Sequence, residues 1–174
     1  MNQQGVPVLY AIVTGSSRAS EITDLVDIAQ ADGWDVCVIA SPSGSAFIDD
    51  AALATKTGWP VRTNYKQPGT PDLLPPADAL IVAPMTCNSA AKLAAGISDT
   101  LPLGILVEAI GNRKPVVAVP YSTEAQLSFP PIRDALTRLA EYGVKVLPGR
   151  SGQPLPLSEA WKAVLEHPWL SIGR

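Results

Sequence analysis

The sequence predicts a three-layer α/β protein, in which helices cover both faces of a parallel β-sheet. Short apolar runs such as Pro7–Val13 are continuous and do not alternate with polar residues, which is typical of strands buried on both faces. Segments with helical spacing separate these runs, and this alternation favours parallel strands joined by right-handed crossovers. The length of 174 residues, with 47% hydrophobic and 17% charged residues, indicates one domain over 1–174, with a core at about 6–149 and a tail at 150–174.

The first two strand–helix units occupy the amino-terminal third of the chain. The strand Pro7–Val13 leads through a turn into a helix that ends at Gly33. A second strand is predicted at Asp35–Ala40 and a second helix at Ala46–Lys56. The apolar face of the first helix consists of residues at helical spacing: Ile22, Leu25, Val26 and Ala29.

The remaining units continue the alternation. A segment at 63–76 contains four prolines and no apolar periodicity, so it is predicted to be a loop, either a functional lid or a stiff surface connection. The tail contains a short helix, Leu157–Glu166, and two tryptophans, Trp161 and Trp169, that are expected to pack on the domain or on a partner subunit. The other predicted elements are strand Ala77–Pro84, helix Asn88–Ile97, helix Leu103–Ile110, strand Lys114–Pro120, helix Ile132–Tyr142 and strand Val144–Pro148.

Composition excludes several classes of function. The net charge is −3 and the basic residues are scattered, so neither nucleic acid nor anionic lipid is an expected partner. The amino terminus lacks a signal pattern and no apolar stretch reaches about 20 residues, which predicts a cytoplasmic protein. Cys37 and Cys87 are far apart without a CxxC motif and are expected to be reduced thiols. The single histidine, His167, lies in the tail, so no metal site is expected and His167 is assigned a surface or packing role.

Small hydroxyl residues follow four of the predicted strands, where a parallel sheet binds its ligand. Such hydroxyls and neighbouring backbone amides can bind phosphate without a cationic side chain, although the same residues also cap helices. GxxxxGK[ST] and GxGxxG are absent, and the second strand ends in Ala40-Ser41 instead of an acidic residue. A mononucleotide such as FMN is therefore favoured over a nucleoside triphosphate or NAD. The four loops are Thr14-Gly15-Ser16-Ser17, Ser41-Pro42-Ser43, Met85-Thr86-Cys87-Asn88-Ser89 and Tyr121-Ser122-Thr123.

Three of these features together resemble the homo-oligomeric flavin-containing cysteine decarboxylase (HFCD) family, which includes phosphopantothenoylcysteine decarboxylase and the lantibiotic peptidyl-cysteine decarboxylases. They are the TGS turn, the segment ALIVAPMTCNSAAKLAAGISDTLPLGIL and the proline-led loop after VVAV. The resemblance covers roughly 8–149, and its most specific part is Pro84–Asp99, which looks like the PASANT motif followed by the KxAxGxxD helix. It implies a Rossmann-like (flavodoxin-like) fold and a homotrimer, or a multiple of trimers, that binds FMN near a subunit interface.

The resemblance also implies a set of cofactor-binding residues and a catalytic Asn88 that orients the substrate. The residues implied for the FMN phosphate and ribitol are Gly15, Ser16, Ser17, Ser41 and Ser43. The residues implied for the flavin ring are Thr86, Cys87, Asn88 and Ser89, with Tyr121 at a further cofactor-facing position.

The family chemistry oxidises a cysteine side chain to a thioaldehyde by hydride transfer to FMN, after which the carboxylate leaves as CO₂. The implied substrate is a small-molecule or peptide thiol. This chain departs from the family pattern in two places: Thr70 stands near the expected histidine, and the segment Pro120–Leu127 keeps only the proline of PxMNxxMW. Asp72 and Glu124 flank these positions and are either acid–base substitutes or solvated carboxylates. Cys87 is either a redox thiol or a buried inert one.

Three functions therefore remain open on the sequence alone. The first is an FMN-dependent oxidative decarboxylase of a carboxy-terminal cysteine or related thiol, with another group replacing the histidine. The second is a non-catalytic FMN-binding subunit or regulator. The third, flavin prenyltransferase-like activity, is disfavoured because the loops lack an arginine-rich phosphate pocket.

Overall fold

The computed structural model describes residues 5–168 and 170 and contains a five-stranded parallel sheet with the strand order β2-β1-β3-β4-β5. This is the flavodoxin-like order, in which the chain reverses direction across the sheet between β1 and β3. The predicted fold class is confirmed. The strands are β1 Val8–Val13, β2 Asp35–Ala40, β3 Ala79–Met85, β4 Val116–Pro120 and β5 Lys145–Val146.

Helices cover both faces of the sheet, and each face has its own apolar cluster. On β1, Leu9 and Val13 contribute to one cluster while Val8 and Ile12 contribute to the other, and all four are fully buried. The helices are α1 Ile22–Ala31, α2 Asp50–Thr57, α3 Cys87–Ala94, α4 Leu101–Gly111, α5 Glu124–Ser128, α6 Pro130–Glu141 and α7 Leu157–Leu165. The first face packs against α1, α2 and α7, and the second against α3, α4 and α6. The continuous apolar runs of the sequence are therefore explained by burial on both faces.

The bounds of most predicted helices shift by one to three residues in the structure, and the shifts of the second and third helices have clear local causes. The second helix does not begin at Ala46, because Ser45–Phe47 forms a separate 3₁₀ turn and Asp49 caps α2 by accepting a bond from the Ala52 amide at 3.0 Å. The third helix ends at Ala94, before Ile97, because Gly96 adopts a left-handed conformation with φ of 73°.

Two other elements differ from expectation. The sequence analysis missed α5, which is only five residues long and exposes its residues to solvent on several sides. The last strand, expected over 144–148, pairs with β4 only at Lys145–Val146. Among the described residues no helix is long and apolar enough to cross a membrane, and both Cys37 and Cys87 are free thiols, as expected.

The tail packs against the first face of the sheet through α7. Trp161 is buried and meets Trp34 edge to face, with ring centroids 5.1 Å apart. Its indole N–H donates to Asp32 Oδ2 at 2.5 Å, which ties α7 to the end of α1. The prediction that Trp161 packs on the domain is confirmed; Trp169 lies outside the described residues.

This packing predicts a graded effect of substitutions at Trp161. Trp161→Ala should lower the free energy of unfolding by about 3–5 kcal/mol, since it opens a cavity beside Trp34. Trp161→Phe keeps the ring contact and loses the bond to Asp32, which should cost about 1.5–3 kcal/mol. Urea denaturation measures both. Leu165→Ala, on the exposed side of the same helix, is the control, and an equal loss in Trp161→Ala and Leu165→Ala would contradict the assignment.

Candidate functional site

The loops at the carboxyl ends of the strands enclose a cleft of about 540 Å³, a volume within the range of small-molecule sites. Among the described residues that border it, none carries a charged side chain, so hydroxyls, amides and backbone groups provide its polarity. The bordering residues are Gly15, Ser16, Ser17, Ser43, Thr86, Cys87, Asn88, Tyr121, Ser122, Thr123, Gln126, Ser151 and Gly152.

Thr14 joins the first loop to the third. Its side chain is buried, and its hydroxyl donates to the Pro84 carbonyl at 2.8 Å while accepting a bond from the Thr86 amide at 2.9 Å. The Thr14 amide also donates to the Pro84 carbonyl, at 3.2 Å. Sequence reasoning placed Thr14 in the first hydroxyl loop, directly after an apolar strand, but did not assign it a bridging role.

The first and second loops touch at Gly15 and Ser43. A Cβ atom at Gly15 would lie 2.6 Å from Ser43 Oγ and 2.8 Å from Ser43 Cβ, so only glycine permits this approach. Ser41 is buried, does not border the cleft, and accepts a hydrogen bond from the Gly44 amide at 3.0 Å. The structure therefore gives the Ser41 hydroxyl a role in shaping the loop, whereas the sequence analysis assigned it to the cofactor.

The third loop begins α3 and separates its residues into two groups. Thr86 caps the helix by accepting a bond from the Ser89 amide at 3.3 Å, and its hydroxyl lies 3.0 Å from Ser89 Oγ. Ser89 is buried and does not border the cleft, so it differs from the expected flavin contact in the same way as Ser41. Asn88 is exposed on the cleft, and Cys87 borders it with little exposure.

The fourth loop is bordered by the tail, which sequence reasoning did not place at the site. The Arg150 amide donates to the Pro120 carbonyl at 3.0 Å, and the Ser122 amide donates to the Arg150 carbonyl at 3.2 Å. These bonds bring the next residues, Ser151 and Gly152, to the cleft beside Tyr121. The tail has no local pattern that points to this pairing, because it forms between segments that are far apart in the chain.

The segment that replaces the PxMNxxMW clamp forms α5 beside the cleft. Thr123 caps this helix by accepting a bond from the Gln126 amide at 3.3 Å. The Ser122 hydroxyl donates to the Gln126 side-chain oxygen. Ser122, Thr123 and Gln126 therefore present neutral hydrogen-bonding groups where the clamp pattern would place a methionine or asparagine.

Three residues at or beside the two altered motif positions, Thr70, Asp72 and Glu124, do not border the cleft. Thr70 is exposed and its hydroxyl donates to the Gln67 carbonyl at 2.7 Å. Asp72 lies 3.4 Å from the Arg62 guanidinium and borders a separate cavity between α4 and the 63–76 loop. Glu124 is exposed in the first turn of α5.

His167 lies near the amino ends of the strands, whereas the cleft lies at their carboxyl ends. It borders a small cavity together with Val116, which begins β4, and Gly143, which precedes β5. Within one chain, the only histidine of the sequence is therefore remote from the strand-end loops.

The second cysteine, Cys37, is unreactive at neutral pH. Cys37 is fully buried on β2, and burial, with a smaller contribution from Asp35, raises its pKa to about 12. At neutral pH the reactive thiolate form of Cys37 is therefore negligible.

Comparison with known proteins identifies the class. Residues 2–166 match the model of the family described as Flavoprotein, and the chain belongs to that family. The flavoprotein class that the motifs resemble is thereby confirmed.

Individual relatives share less than 30% of their aligned residues with this chain. The chain is 26% identical over 153 residues to the coenzyme A biosynthesis bifunctional protein CoaBC of Thermococcus kodakarensis, covering 84% of this chain and 37% of that protein. It is 29% identical over 122 residues to an Arabidopsis thaliana protein described as "Probable phosphopantothenoylcysteine decarboxylase", covering 66% of this chain and 60% of that protein. The chain thus spans less than two thirds of the length of both relatives.

The fold is also that of a solved enzyme. The FMN-dependent cysteine decarboxylase TvaF from thioviridamide biosynthesis superposes with a TM-score of 0.79 at 23% identity, covering 93% of this chain and 98% of that one. This likeness extends across nearly the whole chain and shows a shared architecture.

Substitutions at Thr14 test whether its hydroxyl holds the loops together. Thr14→Val leaves the partly buried Thr86 amide without its acceptor and should lower the free energy of unfolding by about 1–3 kcal/mol. Thr14→Ser keeps the hydroxyl and loses one methyl group, which should cost about 0.8 kcal/mol. Urea denaturation compares the two, and a Thr14→Val protein as stable as Thr14→Ser would show that the bridge is not needed.

Proposed function

We propose that the chain binds FMN in the strand-end cleft and is an oxidative decarboxylase of a carboxy-terminal cysteine or a related thiol. The observation that carries this proposal is the placement of the third loop. The motif that resembles PASANT lies on the cleft between the first and fourth loops, with Asn88 exposed towards it.

The donor set of the cleft fits a phosphorylated mononucleotide. Ser16 and Ser17 of the first loop and Ser43 of the second loop border the cleft with their hydroxyl-bearing side chains. The start of α3 also borders it. Such neutral donors bind a phosphate monoester without a cationic side chain. In this proposal these three serines and Gly15 hold the phosphate and ribitol.

The remaining border of the cleft suits a planar, largely uncharged ring. Thr86, Cys87 and Tyr121 combine small polar groups with apolar surface. In this proposal they line the flavin, while the buried Ser41 and Ser89 support the loops from behind.

Asn88 has the position and chemistry to orient the substrate. Its side-chain amide offers both donors and an acceptor on the exposed side of α3, within the same cleft as the proposed cofactor. FMN, when bound, supplies the two-electron acceptor for oxidation of the cysteine side chain, after which the carboxylate is lost as CO₂. The names of the Arabidopsis relative and of TvaF support this substrate class.

A homo-oligomer, in keeping with the homotrimer expected from the resemblance, is part of the same proposal. Helix α4 is apolar on nearly every side, although a helix at a protein–water surface is normally apolar on one side only. Val107 on α4 and the nearby Tyr65 and Leu73 of the 63–76 loop are exposed large side chains. An exposed apolar surface of this kind is typical of a subunit interface.

A second candidate, a non-catalytic FMN-binding subunit or regulator, is favoured by one observation. The cleft contains no histidine among its described residues, and His167 lies near the amino ends of the strands, away from the cleft. Arginine is likewise absent from the described lining, which weighs against the prenyltransferase-like alternative.

CO₂ release from a cysteine-terminal peptide or pantothenoylcysteine substrate, followed anaerobically as a single turnover of the bound FMN, separates the two candidates. Asn88→Asp should keep bound FMN but lower the single-turnover rate about 100-fold, because the carboxylate cannot donate the hydrogen bonds that position the substrate and a loss of positioning has an effect of this size. Gln30→Glu makes the same amide-to-carboxylate change on α1, away from the cleft, and should turn over normally. FMN binding without CO₂ release from any such substrate would favour the second candidate.

A further inference from the structure

One ion pair ties the tail to the first loop beside the cleft. Arg18 Nη1 lies 2.6 Å from Glu21 Oε1. The second carboxylate oxygen, Glu21 Oε2, accepts a hydrogen bond from the Leu155 amide at 2.8 Å. Glu21 therefore holds a cation with one oxygen and the backbone of the tail with the other.

Arg18 extends the connection to a residue that borders the cleft. Its Nη2 donates to the Gly152 carbonyl at 3.4 Å. The neighbouring Tyr121 and Glu21 side chains raise the pKa of Arg18. Arg18, which directly follows the first loop, thus joins that part of the chain to the tail, although Arg18 itself does not border the cleft.

Few other contacts fix this part of the tail. Residues 151–154 are exposed, and the backbone bonds of Arg150 to the Pro120–Ser122 segment lie before them. After them, the Leu155 amide depends on Glu21. An exposed ion pair alone contributes little to stability. Here both partners also hydrogen-bond to the tail backbone, and hydrogen bonds of ionised groups are stronger than neutral ones.

We propose that Arg18 and Glu21 are positioning residues that hold Ser151 and Gly152 against the mouth of the cleft and so set how tightly it closes around its ligand. The consequence for the ligand rests on the proposed FMN site; the attachment of the tail does not. We call the contacts of Arg18 and Glu21 with the tail backbone the clasp. Such contacts act by excluding water and slowing dissociation of the ligand.

The first experiment measures the clasp in the ligand-free protein by hydrogen exchange. Arg18→Met keeps an unbranched apolar stem and removes the guanidinium with its hydrogen bonds. The amides of Arg150 and Leu155, which have acceptors in the structure, should exchange about 10-fold faster, because local opening of the tail becomes easier. Lys56→Met is the matched control. It breaks the ion pair between Lys56 and Asp27, whose charged atoms lie 2.5 Å apart, at a place away from the cleft. The Lys56 side chain is as exposed as that of Arg18.

The second experiment measures how tightly FMN is bound and how accessible the bound flavin is to solvent. In Arg18→Met the dissociation constant for FMN should rise about 10-fold, chiefly through faster dissociation. Iodide should quench the fluorescence of the bound flavin more strongly than in the parent. Arg18→Lys should restore part of the affinity, since it keeps a charge for Glu21 but loses the planar fork that also reaches the Gly152 carbonyl. Lys56→Met should leave both readouts unchanged.

The two experiments separate the clasp from the proposed function. Unchanged exchange at the Arg150 and Leu155 amides in Arg18→Met would overturn the clasp, whether or not FMN binds. Faster exchange with unchanged FMN affinity and quenching would overturn the positioning role. Faster exchange in a protein whose parent form takes up no FMN would support attachment of the tail by Arg18 and reject the FMN site.

Discussion

The buried hydroxyl of Thr14 is the interaction on which the geometry of the cleft depends. It satisfies the Pro84 carbonyl and the Thr86 amide at once, so it joins the carboxyl ends of β1 and β3, two neighbouring and largely buried strands. Leaving such groups unpaired inside a protein is costly, which makes the junction rigid. With Thr86 fixed as the cap of α3, the next turn places Asn88 on the cleft and turns Ser89 inward.

The fold was predictable because its strands are buried on both faces, so their sequences are continuously apolar and easy to distinguish from loops. Short or locally capped elements were not: α5 has five residues, and the start of α2 depends on the Asp49 cap. The candidate site was predictable only as a set of loops. Capping and ligand binding use the same hydroxyl residues, so sequence alone could not separate the inward Ser41 from Ser43. The tail could not be placed because its contacts with the first loop are long-range.

The absence of charge from the described lining gives the cleft a particular chemistry. Its charged neighbours, Arg18 and Glu21, neutralise each other outside the lining and act on the tail backbone. Ligand binding would therefore rest on neutral donors and helix ends, which suits a phosphate monoester joined to an uncharged ring. The same neutrality means that proton transfer has no obvious side chain within one chain's cleft. This is the point at which the chain departs from the histidine-containing pattern.

The central claim is that the neutral strand-end cleft is a flavin site. The measurement that tests it most directly is the absorption spectrum of the purified protein, with the released chromophore identified after denaturation. The account predicts flavin absorption bands, with FMN as the released chromophore and one FMN for each chain. A colourless protein that also fails to take up added FMN would contradict it, and the hydroxyl-rich loops would then serve another ligand or only cap helices.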